Sequence, residues 1–275
     1  MNKQKGFSLP RSWSYASLAS LIFITTWAWA VRIENSLGIS DFSTGWVLFF
    51  VLALLALFGV RKRLPFLPLG PASRWLKLHV VGGFMAVLMF WLHTDEVWPS
   101  SFYGQLLTLL FYAISISGVI GLLMETVFPS QLTHTKMEVI YERIPKELAE
   151  IRNEVEALVE ECTKENASSV LAQHYLETLR WYFQRPRFFM SNVCGSEKPQ
   201  HWVHQQCIIL ERFLNEKERK YLDKVYLLAE KKRKIDFHYA LQKMLKTWLL
   251  IHIPLAGAVM VMVFWHLIVI QVFFV

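Results

Sequence analysis

Two stretches of this chain decide its fold: WLKLHVVGGFMAVLMFWLHT at residues 75–94 and WLLIHIPLAGAVMVMVFWHLIVI at residues 248–270. Each is long and apolar enough to cross a bilayer as one helix, for which about 20 mostly apolar residues are needed. Each also contains two histidines that are 14 residues apart. Because ionisable side chains are costly inside a membrane and usually serve a function there, both stretches predict functional membrane helices.

Three further apolar segments complete a predicted all-α integral membrane bundle of five spans. Of the 275 residues, 54% are hydrophobic and 19% are charged, a composition that does not suit a soluble domain. The net charge of +7 comes from Lys and Arg beside the spans, so it does not predict a nucleic-acid partner. The predicted spans cover residues 13–31, 44–60, 76–93, 103–128 and 247–275.

The charges of the short loops predict the orientation of the chain in the membrane. The loop between the second and third spans is basic and has no acid, whereas the first and third loops are mainly acidic. The positive-inside rule then places the N-terminus in the cytoplasm, and an odd number of spans places the C-terminus in the periplasm. We therefore predict a protein of a bacterial inner membrane, in contact with membrane lipid.

The region before the last span is predicted to be a cytoplasmic helical hairpin or small bundle. Residues 130–243 are densely charged, unlike the spans in 1–129 and 244–275. A second helix is predicted over 169–185, and a third runs from Gln200 into the last span, since no Gly or Pro intervenes before Pro254. Apolar residues at spacings of three and four predict the first, amphipathic helix: Ile140, Ile144, Leu148, Ile151, Val155 and Leu158.

The spacing of the histidines predicts two levels of paired imidazoles. In a helix, 14 residues turn through about 1400°, about 40° short of four turns, so both histidines of a span share a face, about 21 Å apart. By the predicted topology, His79 and His252 lie at the inner level, and His93 and His266 at the outer level. Two imidazoles are what a six-coordinate b-type haem requires from a protein. The sequence therefore predicts two haem b groups.

Three glycines follow the inner histidines at short spacing and belong to the predicted cofactor sites. Gly82 and Gly83 come about one turn after His79, and Gly257 comes just over one turn after His252. Small residues at these places are expected to make room for a flat macrocycle on the surface of each helix.

Other interpretations of the four histidines stay open. They could serve hydrogen-bonded helix packing or a proton path, in which case the chain is a haem-free membrane scaffold or sensor that signals through its helical insert. A zinc site fits poorly, because about 21 Å separates the histidines of one helix and no thiolate is near them.

Residues outside the spans give weaker indications. His238 precedes His252 by 14 residues, and His134 could face it, but a surface histidine is favoured there over a third haem. The run Lys231–Lys234 is predicted to be a solvated face, with anionic lipid as a possible contact. Cys162 continues an apolar stripe, so core packing is its predicted role. Cys194 and Cys207 match no standard zinc or iron–sulfur spacing.

The His-x13-His pattern on two spans resembles the di-haem core of cytochrome b from the respiratory quinol–cytochrome c reductases. It is also similar to the ferric reductase-like transmembrane domains, whose ligands likewise come from the third and fifth spans. The resemblance implies haem ligation by His79, His93, His252 and His266. It covers the two ligand helices, and the sequence shows neither a flavin or nicotinamide domain nor the quinol-site motif of cytochrome b.

The expected function is electron transfer across the membrane between the two haems. The donor and acceptor are then other molecules: a membrane quinol, a cytoplasmic redox partner such as a reductase, or a c-type cytochrome outside. Whether the chain is a passive conduit or a subunit of an oxidoreductase that oxidises quinol or reduces an external acceptor is left open, as is an oligomeric state.

Overall fold

All regular structure in the described part of the chain is helical, which confirms the all-α prediction. The computed structural model describes residues 13–36, 40–63, 70–135, 137–166 and 168–273. These residues contain the helices α1 (Trp13–Asn35), α2 (Asp41–Arg63), α3 (Ala72–Thr94), α4 (Phe102–His134), α5 (Ile144–Asn166), α6 (Val170–His174), α7 (Arg180–Phe183), α8 (Phe189–Val193), α9 (Lys198–Glu211) and α10 (Glu216–Phe273), with a 3₁₀ turn at Tyr141–Arg143 and a π turn at Tyr175–Leu179.

The described residues divide into two compact units. We call the described residues within Met1–Thr126 and Trp248–Val275 the membrane unit, and those within Val127–Thr247 the insert unit. Five helices, α1 to α4 and α10, are long and apolar enough to cross a membrane, as predicted. At most 22% of the residues in the apolar window of any of these helices are buried. Apolar helices that leave so much of their surface uncovered by protein fit contact with lipid.

The core of the membrane unit joins α2, α3 and α4. Phe90 stacks on Phe111 with ring centroids 4.3 Å apart and planes 12° apart. Met260 and Val263 of α10 pack against this core. The core therefore holds together the helices that carry the histidines. Its buried side chains are Leu48, Leu52, Met85, Ala86, Met89, Phe90 and Phe111.

The core of the insert unit is built on the amphipathic stripe of α5. Cys162 at the end of this stripe is 1% exposed, so its predicted place in the core is confirmed. Ile140 lies before the helix and is exposed, because the stripe begins only at Ile144. The stripe consists of Ile144, Leu148, Ile151, Val155, Val159 and Cys162.

The helix predicted to start near Gln200 is broken once before it reaches the last span. Helix α9 ends at Glu211, and α10 begins at Glu216. The backbone N–H of Asn215 donates to the carboxylate of Glu218 over 2.9 Å. Glu218 is the third residue of α10, and Asn215 is the residue just before the helix. A carboxylate at the third position that accepts the backbone N–H of the preceding cap residue is half of a capping box, which stabilises a helix start. From there α10 continues through Pro254 to Phe273.

Two side chains of the insert unit that were predicted at the surface are buried, so those predictions were wrong. Lys232 is fully buried, with Nζ 2.5 Å from Oδ2 of Asp236 and 4.1 Å from the ring centroid of Tyr182. Burial raises the pKa of Asp236 to about 6, although the Lys232 ammonium lowers it. A charge can be buried when it is paired in this way.

His238 is the second of these side chains. It is 4% exposed, and its Nε2 lies 2.7 Å from Oγ1 of Thr135. A single hydrogen bond of this kind allows a neutral imidazole to be buried. The side chain of His134, which could face His238, lies outside the part of the chain that the structure describes.

Candidate functional site

The four histidines of α3 and α10 form two pairs within the membrane unit. The first pair is His79 with His252, whose ring centroids are 6.3 Å apart with planes at 71°. The second pair is His93 with His266, also 6.3 Å apart, with planes at 80°. The structure thus brings together the histidines that the predicted topology places at one level. Each pair takes one imidazole from each of the two helices.

The distance within each pair leaves room for one ion between the two rings. Two imidazoles that bind an ion from opposite sides, each through a bond of about 2 Å, put their ring centroids about 6 Å apart. All four histidines are half-buried, so their rings are largely withdrawn from the surface. Each pair therefore offers two imidazoles at a separation that suits one ion.

His93 of the second pair is held by two consecutive residues of α2. Oγ1 of Thr44 lies 3.3 Å from Nδ1 of His93. A Cβ added at Gly45 would lie 2.8 Å from Cε1 of His93 and 3.3 Å from its Nδ1. Real Cβ atoms essentially never lie this close to another atom. The imidazole therefore packs directly on the backbone of Gly45, where any other residue would clash with it. Thr44 and Gly45 thus both contact this ring.

His252 of the first pair is held from α4. Oγ of Ser117 lies 3.0 Å from Nδ1 of His252. The indole N–H of Trp248 donates to the carbonyl oxygen of Ser117 over 2.9 Å and to its Oγ over 3.2 Å. The Trp248 ring also packs on His252, with centroids 4.9 Å apart. Its six-membered ring occupies the space that a Cβ at Gly121 would take.

The other histidine of each pair packs beside an aromatic ring. His79 lies 5.1 Å from the ring centroid of Phe58. His266 stacks on Tyr103, with centroids 6.1 Å apart and planes 12° apart. The hydroxyl of Tyr103 donates to the carbonyl oxygen of Met262 over 2.7 Å, which ties α4 to α10 one turn before His266. Each pair therefore combines one histidine near a hydroxyl with one beside an aromatic ring.

The three predicted glycines have different surroundings. A Cβ at Gly82 would lie 3.0 Å from Cδ2 of Leu55, so this glycine serves the close packing of α3 on α2. A Cβ at Gly83 or Gly257 would meet nothing within 4 Å, so both face open space. Gly257 is exposed at the surface, so only the half-buried Gly83 leaves room beside a histidine of its own helix.

Sequence reasoning missed the residues that hold the histidines. They are two hydroxyl residues, two glycines and one tryptophan: Thr44, Ser117, Gly45, Gly121 and Trp248. A glycine or serine in an apolar span indicates close helix packing but does not identify its neighbour. No local pattern therefore assigns these residues to particular histidines.

Within the described ranges, no three His, Cys, Asp or Glu side chains come together as a metal site. The two histidine pairs therefore hold two side-chain donors each. Comparisons of the chain with protein-family models, with curated proteins and with solved structures found no match.

Proposed function

We propose that this protein is a membrane cytochrome that holds two haem b groups and carries electrons across the bilayer. The observation that carries the proposal is the pairing of His79 with His252 and of His93 with His266, each at a centroid distance of 6.3 Å. Two pairs with the same separation, repeated along the same two helices, are hard to explain by helix packing alone.

The donor set fits a haem better than a bare ion. A protein-bound zinc ion usually takes four ligands, of which at least three come from side chains. A haem iron has four nitrogens from its porphyrin and takes only one or two from the protein. Two imidazoles per site meet this requirement, and the open space beside Gly83, about one turn after His79, supports the same assignment.

In this proposal, His79 and His252 would hold one haem, and His93 and His266 would hold the other. Each haem would supply one-electron transfer chemistry. The histidines bind and orient the cofactor. The apolar side chains of α2, α3 and α4 around them exclude water, and such a shell helps to set the reduction potential.

The two sites lie at different depths along the helices. Histidines 14 residues apart in one helix are about 21 Å apart along its axis, most of the ~30 Å thickness of the hydrocarbon core. Two redox centres so placed give the protein a route across the membrane. The basic loop between α2 and α3 supports a cytoplasmic N-terminus, with the insert unit on the same side and the C-terminus in the periplasm of a bacterial inner membrane.

The electron donor and acceptor are separate molecules in this proposal. A membrane quinol or a cytoplasmic reductase is a suitable donor at one haem, and a c-type cytochrome is a suitable acceptor at the other. The insert unit, with its own core and charged surface, offers a docking surface for a cytoplasmic redox partner or a second copy of the chain.

The test is a reduced-minus-oxidised visible spectrum of the purified full chain with a pyridine haemochrome assay of haem per chain. We expect about two b haems per chain from two imidazole pairs. His79→Ala, His93→Ala, His252→Ala and His266→Ala are each expected to remove one haem. His201→Ala, at a side chain that is 70% exposed, is the matched control and should keep both.

Double variants test the pairing itself. His79→Ala with His252→Ala should lose no more haem than either single change, because both ligands serve one site. His79→Ala with His93→Ala should lose both haems. A colourless but folded wild-type protein from haem-replete cells, or a full haem complement in all four single variants, would reject the proposal in favour of a haem-free scaffold or sensor.

A further inference from the structure

We propose that Thr44 is a positioning residue, whose hydroxyl accepts the Nδ1–H of His93 and so leaves Nε2 of that ring as the ligand nitrogen. This inference rests on the proposed function, and it concerns a residue that is not itself a ligand. It assigns to α2, which carries no histidine, a role in setting the redox properties of the second pair.

The surroundings of Thr44 decide the direction of the hydrogen bond. Thr44 is fully buried, and its Oγ1 lies 3.1 Å from the carbonyl oxygen of Asp41 and 3.3 Å from that of Ser40. A threonine hydroxyl has one proton and two lone pairs. A carbonyl oxygen can only accept, and that of Asp41 lies nearer to Oγ1 than Nδ1 of His93 does, so we assign the hydroxyl proton to the backbone of α2. The Oγ1 lone pair is then available for His93, whose Nδ1 lies 3.3 Å away.

This arrangement selects one tautomer of His93. With its proton on Nδ1, the neutral imidazole keeps a lone pair on Nε2 only. Hydrogen bonding of the second ring nitrogen is the usual way in which a protein fixes the tautomer and ring orientation of a metal-binding histidine. Gly45 adds the steric part, because its bare backbone lies against the same ring. The adjacent residues Thr44 and Gly45 thus give the ring one polar contact and one van der Waals contact.

The hydrogen bond also has an electronic consequence. An imidazole that donates from Nδ1 is a more basic ligand through Nε2, and a more basic ligand favours ferric over ferrous iron. Loss of the Thr44 hydroxyl should therefore raise the reduction potential of the haem at the second pair. The haem at the first pair should be unaffected, since the histidine that Thr44 contacts belongs to the second pair.

The experiment compares Thr44→Val, which removes the hydroxyl at nearly constant volume, with Thr44→Ser, which keeps it. Both are made in a His252→Ala background, where only the second pair is intact, and in a His266→Ala background, where only the first is intact. Thr25→Val is the matched control, because the Thr25 hydroxyl bonds only to backbone of its own helix. Redox titration and the low-spin electron paramagnetic resonance spectrum are the measurements.

In the His252→Ala background, we expect Thr44→Val to raise the ratio of reduced to oxidised haem at a fixed potential on the order of tenfold, or about 59 mV for one electron. The resonance spectrum should change with it, and Thr44→Ser should match its parent. In the His266→Ala background, Thr44→Val should change nothing. If Thr44→Val instead loses haem while Thr44→Ser retains it, the hydroxyl is needed for binding and the inference stands.

An unchanged potential and spectrum for a haem-containing Thr44→Val protein would overturn the inference and leave the proposed function intact. Equal changes in both backgrounds, or haem loss in Thr44→Ser as well, would also overturn it. Absence of haem from the wild-type protein would reject the proposed function and this inference together, a result that haem content alone distinguishes from the others.

Discussion

The two histidine pairs share a centroid distance but exchange the roles of their helices. In the first pair, the histidine near a hydroxyl is His252 of α10, and its neighbour is Ser117 of α4. In the second pair it is His93 of α3, and its neighbour is Thr44 of α2. The hydroxyl neighbour therefore comes from α4 in the first pair and from α2 in the second. The ligand helices supply the imidazoles, and the neighbouring helices supply what orients them.

A tryptophan makes the first pair different in kind. Trp248 packs on His252, and its indole N–H donates to Oγ of Ser117, so the hydroxyl next to His252 accepts a hydrogen bond from a third side chain. Thr44 has no such indole neighbour among its described contacts, and its hydroxyl bonds to backbone carbonyls instead. Because hydrogen bonds around a ligand tune its basicity, we expect the two sites to have different reduction potentials.

The largest expected effect that separates the pairs comes from Gly121→Ala. The new methyl group would overlap the ring of Trp248, so that ring must move away. Overpacking of this kind costs about 1–3 kcal/mol, and here it also moves the neighbour of His252. We expect the haem at the first pair to be lost and the haem at the second to be kept, measured as haem per chain.

Gly118→Ala is the matched control for this change. It lies one turn away in α4, and a Cβ there would meet nothing within 4 Å. Full haem content in Gly121→Ala, or equal loss in both glycine variants, would show that the packing of Trp248 on Gly121 is not needed for haem binding at the first pair.

Gly45→Ala should have the next largest effect, confined to the second pair. Its methyl group would meet Cε1 of His93 at 2.8 Å, so the ring must shift by several tenths of an ångström. Changes beside a metal ligand typically lower metal affinity about 10- to 100-fold, so we expect weaker retention of one haem. The measurement is haem transfer to apomyoglobin over time.

The control for Gly45→Ala is Gly59→Ala in the same helix, where a Cβ would meet nothing within 4 Å. If Gly45→Ala releases both haems at the same rate, or if Gly59→Ala behaves identically, the contact between Gly45 and His93 has no specific role.

Trp248→Phe tests the indole hydrogen bond alone, with a smaller effect. The phenyl ring can still pack on His252, but Ser117 loses its donor. We expect both haems to remain and only the haem at the first pair to shift its reduction potential, in a two-component redox titration. Trp265→Phe, at a ring that is 55% exposed, is the control. A shift of the other component would contradict the assignment of Trp248 to the first pair.

The smallest expected effect is that of Tyr103→Phe. This change removes one hydrogen bond to the carbonyl oxygen of Met262, and it keeps the ring that stacks on His266. A hydrogen bond of this type contributes about 1 kcal/mol, so the thermal unfolding midpoint should fall by a few degrees at most. The spectrum and potential of both haems should stay unchanged. A changed spectrum would mean that the hydroxyl, and not only the ring, acts on His266.

Much of the membrane fold could be predicted from local pattern. Length and hydropathy mark a membrane helix within a single segment, so the five spans follow from the sequence and agree with α1 to α4 and α10. The insert unit was harder to predict. Lys232 and His238 read as surface residues by type, but Asp236 and Thr135 give them buried partners. A pattern of residue types cannot show that a polar side chain has a buried hydrogen-bond or ion-pair partner.

The sequence by itself determined which residues share a helix face. The 14-residue spacing is a property of one helix, and its periodicity places His79 with His93, and His252 with His266, on common faces. Tertiary structure alone decided what orients these rings. The contact of Thr44 with His93 joins residues 49 apart in the chain, and that of Ser117 with His252 joins residues 135 apart. Such contacts depend on how helices pack and rotate against one another, which no periodicity within a single helix contains.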